Sequence, residues 1–406
     1  MNDDRRDGIT RRKVLALGGA VSAALLAEGG LGAARVLAAE PELPQIPRRV
    51  LGKTGKKIPI LLMGGDGGFD KVFDPRLAEG LRFGLDYVDA ADCYAGGTCE
   101  TSLGAFLKRA SARDKMWITS KSDAHDPAGF AKTVDQSLAR LGTTYVDLMF
   151  LHNLGDARHL NPELAATVAK LKEQGKIRHF GFSTHTGNVV EMLHLAAKTP
   201  WVEAVMFRYN FRKYGDKELN AAMDAAHAAG VGLIAMKTQG SEAERDAWKQ
   251  FQQNGRWTKH QAVLKSVWSD ARITAAVSGM DTLDKLRQNI AAAVDKSDLT
   301  AAEEGEIQRY AALTRSLACD GCDQHCGAAM RGHGGEAGAQ PQIADTLRYL
   351  MYHDTYGRTD RARELFATLP APARDLARLD FGPASRACPH GVDVAALMQR
   401  AVTVLA

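Results

Sequence analysis

The sequence predicts a closed (β/α)8 barrel followed by a small, mainly helical domain rich in cysteine. Three observations point there. Short apolar runs at 58–63, 87–90, 116–119, 146–151, 179–182, 204–207, 232–236 and 273–277 alternate with longer stretches of helical period, the pattern of parallel strands joined by helices. No Gly-x-Gly-x-x-Gly follows the first run, which disfavours an open dinucleotide-binding sheet. Beyond residue 298 the alternation stops, and four of the six cysteines follow. A chain of 406 residues accommodates both parts. Its 45% hydrophobic and 25% charged content is that of an ordinary globular protein, and a net charge of +4 selects no charged partner. No dense Lys/Arg run interleaved with aromatics points to nucleic acid.

At the N-terminus, Thr10-Arg11-Arg12-Lys13-Val14-Leu15 opens an uncharged Ala/Gly/Leu-rich run over 14–27, and small residues follow at 36–39. Basic head, short apolar middle and small-residue exit are the parts of an export peptide. The run falls short of the about 20 residues that a bilayer span needs, and it is apolar on all faces, unlike an amphipathic first helix. Residues 1–39 are therefore expected to be an export signal. The Arg11-Arg12 pair resembles the twin-arginine type, used for chains exported already folded, which implies a periplasmic product without a mature membrane span.

The remaining elements follow in order. Residues 40–47 read as a linker and 49–55 as a hairpin leading into the barrel, which is expected over 48–298. Barrel helices are expected at 131–141, 162–174, 189–197 and 216–229, with Gly175 and Gly230 as left-handed caps. After the seventh run, Trp248, Phe251 and Trp257 fit either a substrate-shaping lid or the face of a helix packed on the barrel. In 299–406, helices are expected at 299–317, 343–352, 358–369 and 392–405, around a Gly-rich loop at 327–342.

In a barrel, chemistry sits at the carboxyl ends of the strands. Asp89 and Tyr94 fall past the second run, Lys121 past the third, His152 past the fourth, Ser183 and His185 past the fifth, Asn210 past the sixth and Lys237 past the seventh. Asp89, Tyr94, Lys121 and His152 make a coherent acid-catalysis set. A free tyrosine, with a pKa near about 10, is a poor acid at neutral pH. A nearby cation lowers that value and a carboxylate fixes the cation. Tyr94 is thus expected as general acid to a carbonyl oxygen, Lys121 as the charge that tunes it, Asp89 as the partner of Lys121, and His152 as the group that orients the carbonyl.

Val88-Asp89-Ala90-Ala91-Asp92-Cys93-Tyr94, Ile118-Thr119-Ser120-Lys121 and Asp147-Leu148-Met149-Phe150-Leu151-His152-Asn153 resemble the tetrad-bearing segments of aldo-keto reductases. So do Ser137-Leu138-Ala139-Arg140-Leu141, the stretch from Gly175 to Ser183, and Ser278-Gly279-Met280 with Asn289. The resemblance covers roughly 48–293 and implies an oxidoreductase that moves hydride between NADP(H) and an aldehyde, ketone or alcohol. It implies cofactor contacts at Ser183, Asn210, Lys237, Ser278, Gly279 and Asn289. Two positions depart from it: Met206 stands where the family has a nicotinamide-contacting Gln, and Met236 where it has a stacking aromatic. The family's Lys-Ser…Arg pattern for the 2′-phosphate is absent beside Ser278.

In the tail, Cys319-x2-Cys322-x3-Cys326 can turn three thiolates to one centre, and Cys388-Pro389 supplies a fourth in a context common in ferredoxin-type runs. A 4Fe–4S cluster is the leading expectation. Structural zinc, and disulfides after export, are the rivals. The tail resembles the ferredoxin-like extension of a bacterial branch of aldo-keto reductases, through Leu347-Arg348-Tyr349-Leu350-Met351-Tyr352-His353 and Ala387-Cys388-Pro389-His390-Gly391-Val392. Phe381 and Ala384 stand where further cysteines would complete a second set, which leaves ligands for one cluster. Cys93 and Cys99 read as small buried residues or a pair formed after export, and His325 as facing solvent.

The leading functional expectation is an exported oxidoreductase coupled to a cluster and served by a redox partner protein. The rivals are a non-catalytic redox-sensing barrel and an NADP(H)-dependent reductase with a zinc tail.

Overall fold

The computed structural model describes residues 43–238, 256–333 and 340–406; the expected export signal, Trp248 and Phe251 lie outside the described residues. An antiparallel hairpin of β1 (Arg48–Val50) and β2 (Lys57–Pro59) leads in. The barrel then closes through β3 (Leu61–Gly64), β4 (Tyr87–Asp89), β5 (Trp117–Ser122), β6 (Val146–Leu151), β7 (Ile177–Thr184), β8 (Ala204–Arg208), β9 (Gly232–Met236) and β10 (Ile273–Ser278), which pairs back onto β3. All eight neighbours are parallel.

The first apolar run, expected as one strand over 58–63, is split between hairpin and barrel. Pro59 has no N–H to give a ladder, and the next N–H, of Ile60, bonds back to Pro47 O at 2.9 Å. Leu51 and Ile58 from the hairpin join Leu62, Tyr87, Phe150 and Met206 in the cluster inside the barrel, so the hairpin plugs its amino end.

Around the strands lie α1 (Pro75–Arg82), α2 (Cys99–Ala110), α3 (Pro127–Leu141), α4 (Pro162–Glu173), α5 (Val189–Lys198), α6 (Lys217–Ala228), α7 (Lys259–Ser269) and α8 (Leu283–Val294). Their starts are marked in the sequence. Asp74, Asp126, Asn161, Asp216, Thr258 and Thr282 each accept a first-turn N–H, and proline opens α1, α3 and α4. Each helix turns an apolar stripe onto the strands, whose outward residues Val88, Ile118, Phe180, Val205 and Ala276 are fully buried in the same layer.

Beyond the barrel come α9 (Ala301–Leu313), a short turn at Arg315–Leu317, α10 (Gln324–Ala329), α11 (Ile343–Tyr356), α12 (Thr359–Ala367), α13 (Ala371–Arg374), α14 (Gly382–Ala387) and α15 (Val394–Leu405). The expected boundary at 298 falls before α9, yet Ile307 and Tyr310 of α9 pack with Phe211, Trp257 and Val263. That helix therefore belongs by packing to the barrel, and Trp257 is part of its seat. The tail has its own core of Met330, Ile343, Leu350, Phe366 and Met398. It is helical, with no strand among its described residues. No helix among the described residues is long and apolar enough to cross a membrane.

Candidate active site and cysteine centre

Asp89 closes β4, Lys121 lies in β5 and His152 follows β6, so all three reach the carboxyl end of the barrel. Lys121 is 1% exposed. Its Nζ lies 2.7 Å from Asp89 Oδ1 and donates to Ala90 O at 2.8 Å and to the Tyr94 hydroxyl at 3.1 Å. Because the lysine donates, the phenolic oxygen accepts, and the Tyr94 proton is left to point elsewhere.

The electrostatics differ from the sequence expectation. Lys121 was expected to lower the Tyr94 pKa; instead burial first, then the Asp89 and Asp66 carboxylates, push the phenol well above its ordinary value. Burial likewise raises the Asp89 carboxyl, with Lys121 opposing. One cation shared with a buried carboxylate does not offset the desolvation of a phenolate.

His152 meets Tyr94 edge-on, with ring centroids 5.5 Å apart. Its Nδ1 lies 2.7 Å from Asp123 Oδ1 and 3.6 Å from Cys93 Sγ. Burial pushes the Asp123 carboxyl up, but the bond and charge of His152 prevail and hold it at about 2. Asp123 escapes the sequence reading, although its place two residues past Lys121 puts it on the same barrel rim.

The residues expected to hold cofactor are engaged inside the protein. Ser183 Oγ accepts the Asn153 N–H at 3.1 Å. Asn210 Nδ2 donates to Lys237 O at 3.1 Å, and Asn289 Nδ2 donates to Ser278 Oγ at 3.0 Å. Gly279 has open space where a side chain would stand. Lys237, at φ +58°, takes the left-handed conformation rare for a residue with a side chain. Its Nζ donates to the Tyr352 hydroxyl at 2.7 Å and lies 4.4 Å from that ring's centroid. Met206 is buried inside the barrel, and Met236 closes the same cluster.

Tyr352 shows what sequence reasoning missed: the tail docks on the barrel mouth. Arg348 on α11 bonds His185, and Arg358 pairs with Asp66 past β3. From the barrel side, Arg208 donates to Cys319 O at 3.0 Å, and Lys213 lies 3.6 Å from Asp320. The helical pattern of α11 was legible, but these partners lie far off in the sequence.

Cys319, Cys322, Cys326 and Cys388 line one cavity, with Ile343, Pro389, Val392, Val394 and His390 and the carboxylate-bearing Asp320 and Asp323 around them. All six cysteines are free thiols, so none of the disulfide alternatives is formed. Cys99 is buried at the start of α2, Cys93 is half-buried beside His152, and His325 is exposed. Burial pushes the Cys319 thiol up to about 11, against which the Gly321 N–H donates to its sulfur at 3.4 Å.

A closed parallel barrel with a buried Lys–Asp pair against a tyrosine at its carboxyl rim defines a (β/α)8-barrel enzyme. The aldo/keto reductase family model matches residues 75–310, and the chain belongs to that family, whose members are oxidoreductases. It is 23% identical to L-galactose dehydrogenase of Arabidopsis thaliana over 298 residues, covering 64% of this chain and 92% of that protein. Over a shorter stretch of 128 residues it is 34% identical to the oxidoreductase YdhF of Escherichia coli, covering 27% of this chain and 42% of that one. Among solved structures, an aldo-keto reductase from Bacillus halodurans shares the fold with a TM-score of 0.54 at 22% identity, covering 68% of this chain and 97% of that one.

Proposed function

We propose that the chain is a twin-arginine-exported, periplasmic oxidoreductase that reduces a small carbonyl compound, or oxidises the alcohol, with Tyr94 as proton donor and a 4Fe–4S cluster in its tail. The observation that carries the first part is the Lys121 ammonium set between Asp89 and the Tyr94 oxygen. With NADPH bound, which would supply hydride to the carbonyl carbon, a carbonyl oxygen at the mouth would take the free phenolic proton. The phenolate left behind faces the Lys121 N–H, already 3.1 Å away, so charge develops next to a fixed donor. Asp89 keeps that ammonium in place. His152, its Nδ1 held by Asp123, offers Nε2 to the carbonyl oxygen. In the alcohol direction the same groups run backwards.

Cys319, Cys322, Cys326 and Cys388 fit a cluster, since four free thiols share one cavity, lined by Ile343, Val392 and Val394 alongside Asp320, Asp323 and His390. The likeness to ferredoxins lies in their spacing, on an otherwise helical domain. A cluster held there supplies one-electron transfer. The Arg208–Cys319 bond places the cysteine loop against a residue that ends a barrel strand, which supports coupling between the two sites and a redox partner protein outside. NADP(H) is the family's cofactor; here Gly279 leaves room, whereas the Lys237 ammonium and the Ser278 hydroxyl already have protein partners.

Anaerobic purification with visible absorption and iron and sulfide analysis, then NADPH titration of the same sample, tests this reading. Brown protein with about four iron and four sulfide, bleached by dithionite, is expected. Colourless protein carrying zinc would remove the cluster and leave a reductase with a structural tail.

A further inference from the structure

Beside the Lys121–Tyr94 pair lies a second constellation, which shares His152 and Asp123 with the proposed carbonyl-orienting set. Asp92, Cys93, Asp123 and His152 come from the loop after β4, the residue after β5 and the residue after β6. Each offers one ligand atom, and these atoms all lie within 4.8 Å of one another. His152 Nδ1 is 3.6 Å from Cys93 Sγ, close to the spacing of two ligands on one tetrahedral ion. The contact of Nδ1 with Asp123 Oδ1, at 2.7 Å, has room to open, because the Asp123 side chain is 55% exposed. Asp92 Oδ2 accepts the Asp123 N–H at 3.4 Å, whereas its Oδ1 is buried without a hydrogen-bond partner. A buried carboxylate oxygen left unpaired is costly, and a cation is the partner that satisfies it while two carboxylates and a thiol crowd together.

We propose that Asp92, Cys93, Asp123 and His152 Nδ1 bind one divalent ion of the zinc class at the rim of the barrel mouth. One sulfur, one imidazole nitrogen and two carboxylate oxygens form a mixed set that a borderline-soft ion accepts and that magnesium or calcium does not favour. The chain supplies the four from three separate barrel segments, so the site exists only in the closed barrel. Asp123, open to solvent, is the way in. An ion on Nδ1 fixes the imidazole and leaves Nε2 facing away from the metal. The site is distinct from the four-cysteine cavity in its ligand chemistry, and it holds whether or not Tyr94 reduces a carbonyl.

The test is zinc binding to the full-length protein with its tail centre loaded, read by equilibrium dialysis with metal analysis and by zinc-edge X-ray absorption. One equivalent is expected, with one sulfur at about 2.3 Å and nitrogen or oxygen at about 2.0 Å. Affinity should fall roughly 100-fold or more in Cys93→Ser and in Asp92→Asn, since even outer partners of a ligand are worth about 10–100-fold. Cys388→Ser should leave that equivalent in place. No bound zinc, an all-sulfur shell, or equal affinity in Cys93→Ser overturns the proposal. The absorption measurement on the unaltered protein decides the matter even where a variant fails to fold.

Discussion

At Lys121 three needs meet in one ammonium: a buried carboxylate to neutralise, a carbonyl to satisfy and a phenol to hold. The two obvious substitutions therefore separate. Tyr94→Phe removes one acceptor and leaves the ion pair whole, so thermal unfolding should shift by only about 1 kcal/mol. Turnover of any carbonyl substrate should drop roughly 10²–10⁴-fold, the range of a lost general acid. Lys121→Met leaves Asp89 charged and buried without its cation and should cost about 3–5 kcal/mol. Measuring both quantities on both variants checks the division. A Tyr94→Phe protein with full turnover would show that the proton comes from elsewhere. The high Tyr94 pKa sets a pH expectation as well: a phenol pushed upward stays protonated through the neutral range, so loss of activity near neutral pH should not come from Tyr94.

Each βα unit carries its own punctuation, and this made the barrel readable. Asp126-Pro127 and Asn161-Pro162 start helices, Gly175 and Gly230 end them, and β-branched and aromatic runs lie between. What pattern does not carry is the contact between units. Glu203, just before β8, accepts from His179 Nδ1 at 2.7 Å and the Phe180 N–H at 2.9 Å, and pairs with Lys172 on α4. Burial pushes its carboxyl up, but these three partners prevail and hold it at about 2 against an ordinary 4.5. A lowered carboxylate stabilises the fold above its unfolded pKa and ceases to as pH falls through its folded one. The contribution, about 3 kcal/mol, should thus be complete above pH 4.5 and vanish towards pH 2. Denaturant unfolding across that window should show a slope that Glu203→Gln flattens. At the barrel floor, Gly52 lies at φ +46°, and a methyl there would strike the backbone of Gly230 and Gly232. Gly52→Ala should loosen the hairpin plug, seen as a lower denaturation midpoint with the far-UV spectrum intact.

For the whole molecule, the helices of the tail were legible from their period, whereas their docking was not. Tyr352 meets Lys237 across 115 residues, Arg348 meets His185 across 163 and Arg358 meets Asp66 across 292. No local pattern encodes pairs of that reach. These contacts put the tail at the catalytic end of the barrel, against Asp66, His185 and Lys237. One member of the interface is sensitive to pH. Burial first, then the positive charges of Arg348, Lys237, His152 and Arg208, lower the His185 pKa well below 6.5. The docked state therefore holds His185 neutral, while an undocked or unfolded chain takes up a proton below pH 6.5. Stability of the docked form must rise with pH up to about that value and weaken beneath it. Hydrogen exchange, corrected for the intrinsic effect of pH, should report faster opening of α11 and of the loop after β7 at pH 5 than at pH 7. His185→Gln should remove most of the difference. Equal protection at both values in the unaltered protein would mean that the tail is held by its apolar contacts, with the Arg348–His185 pair contributing nothing to docking.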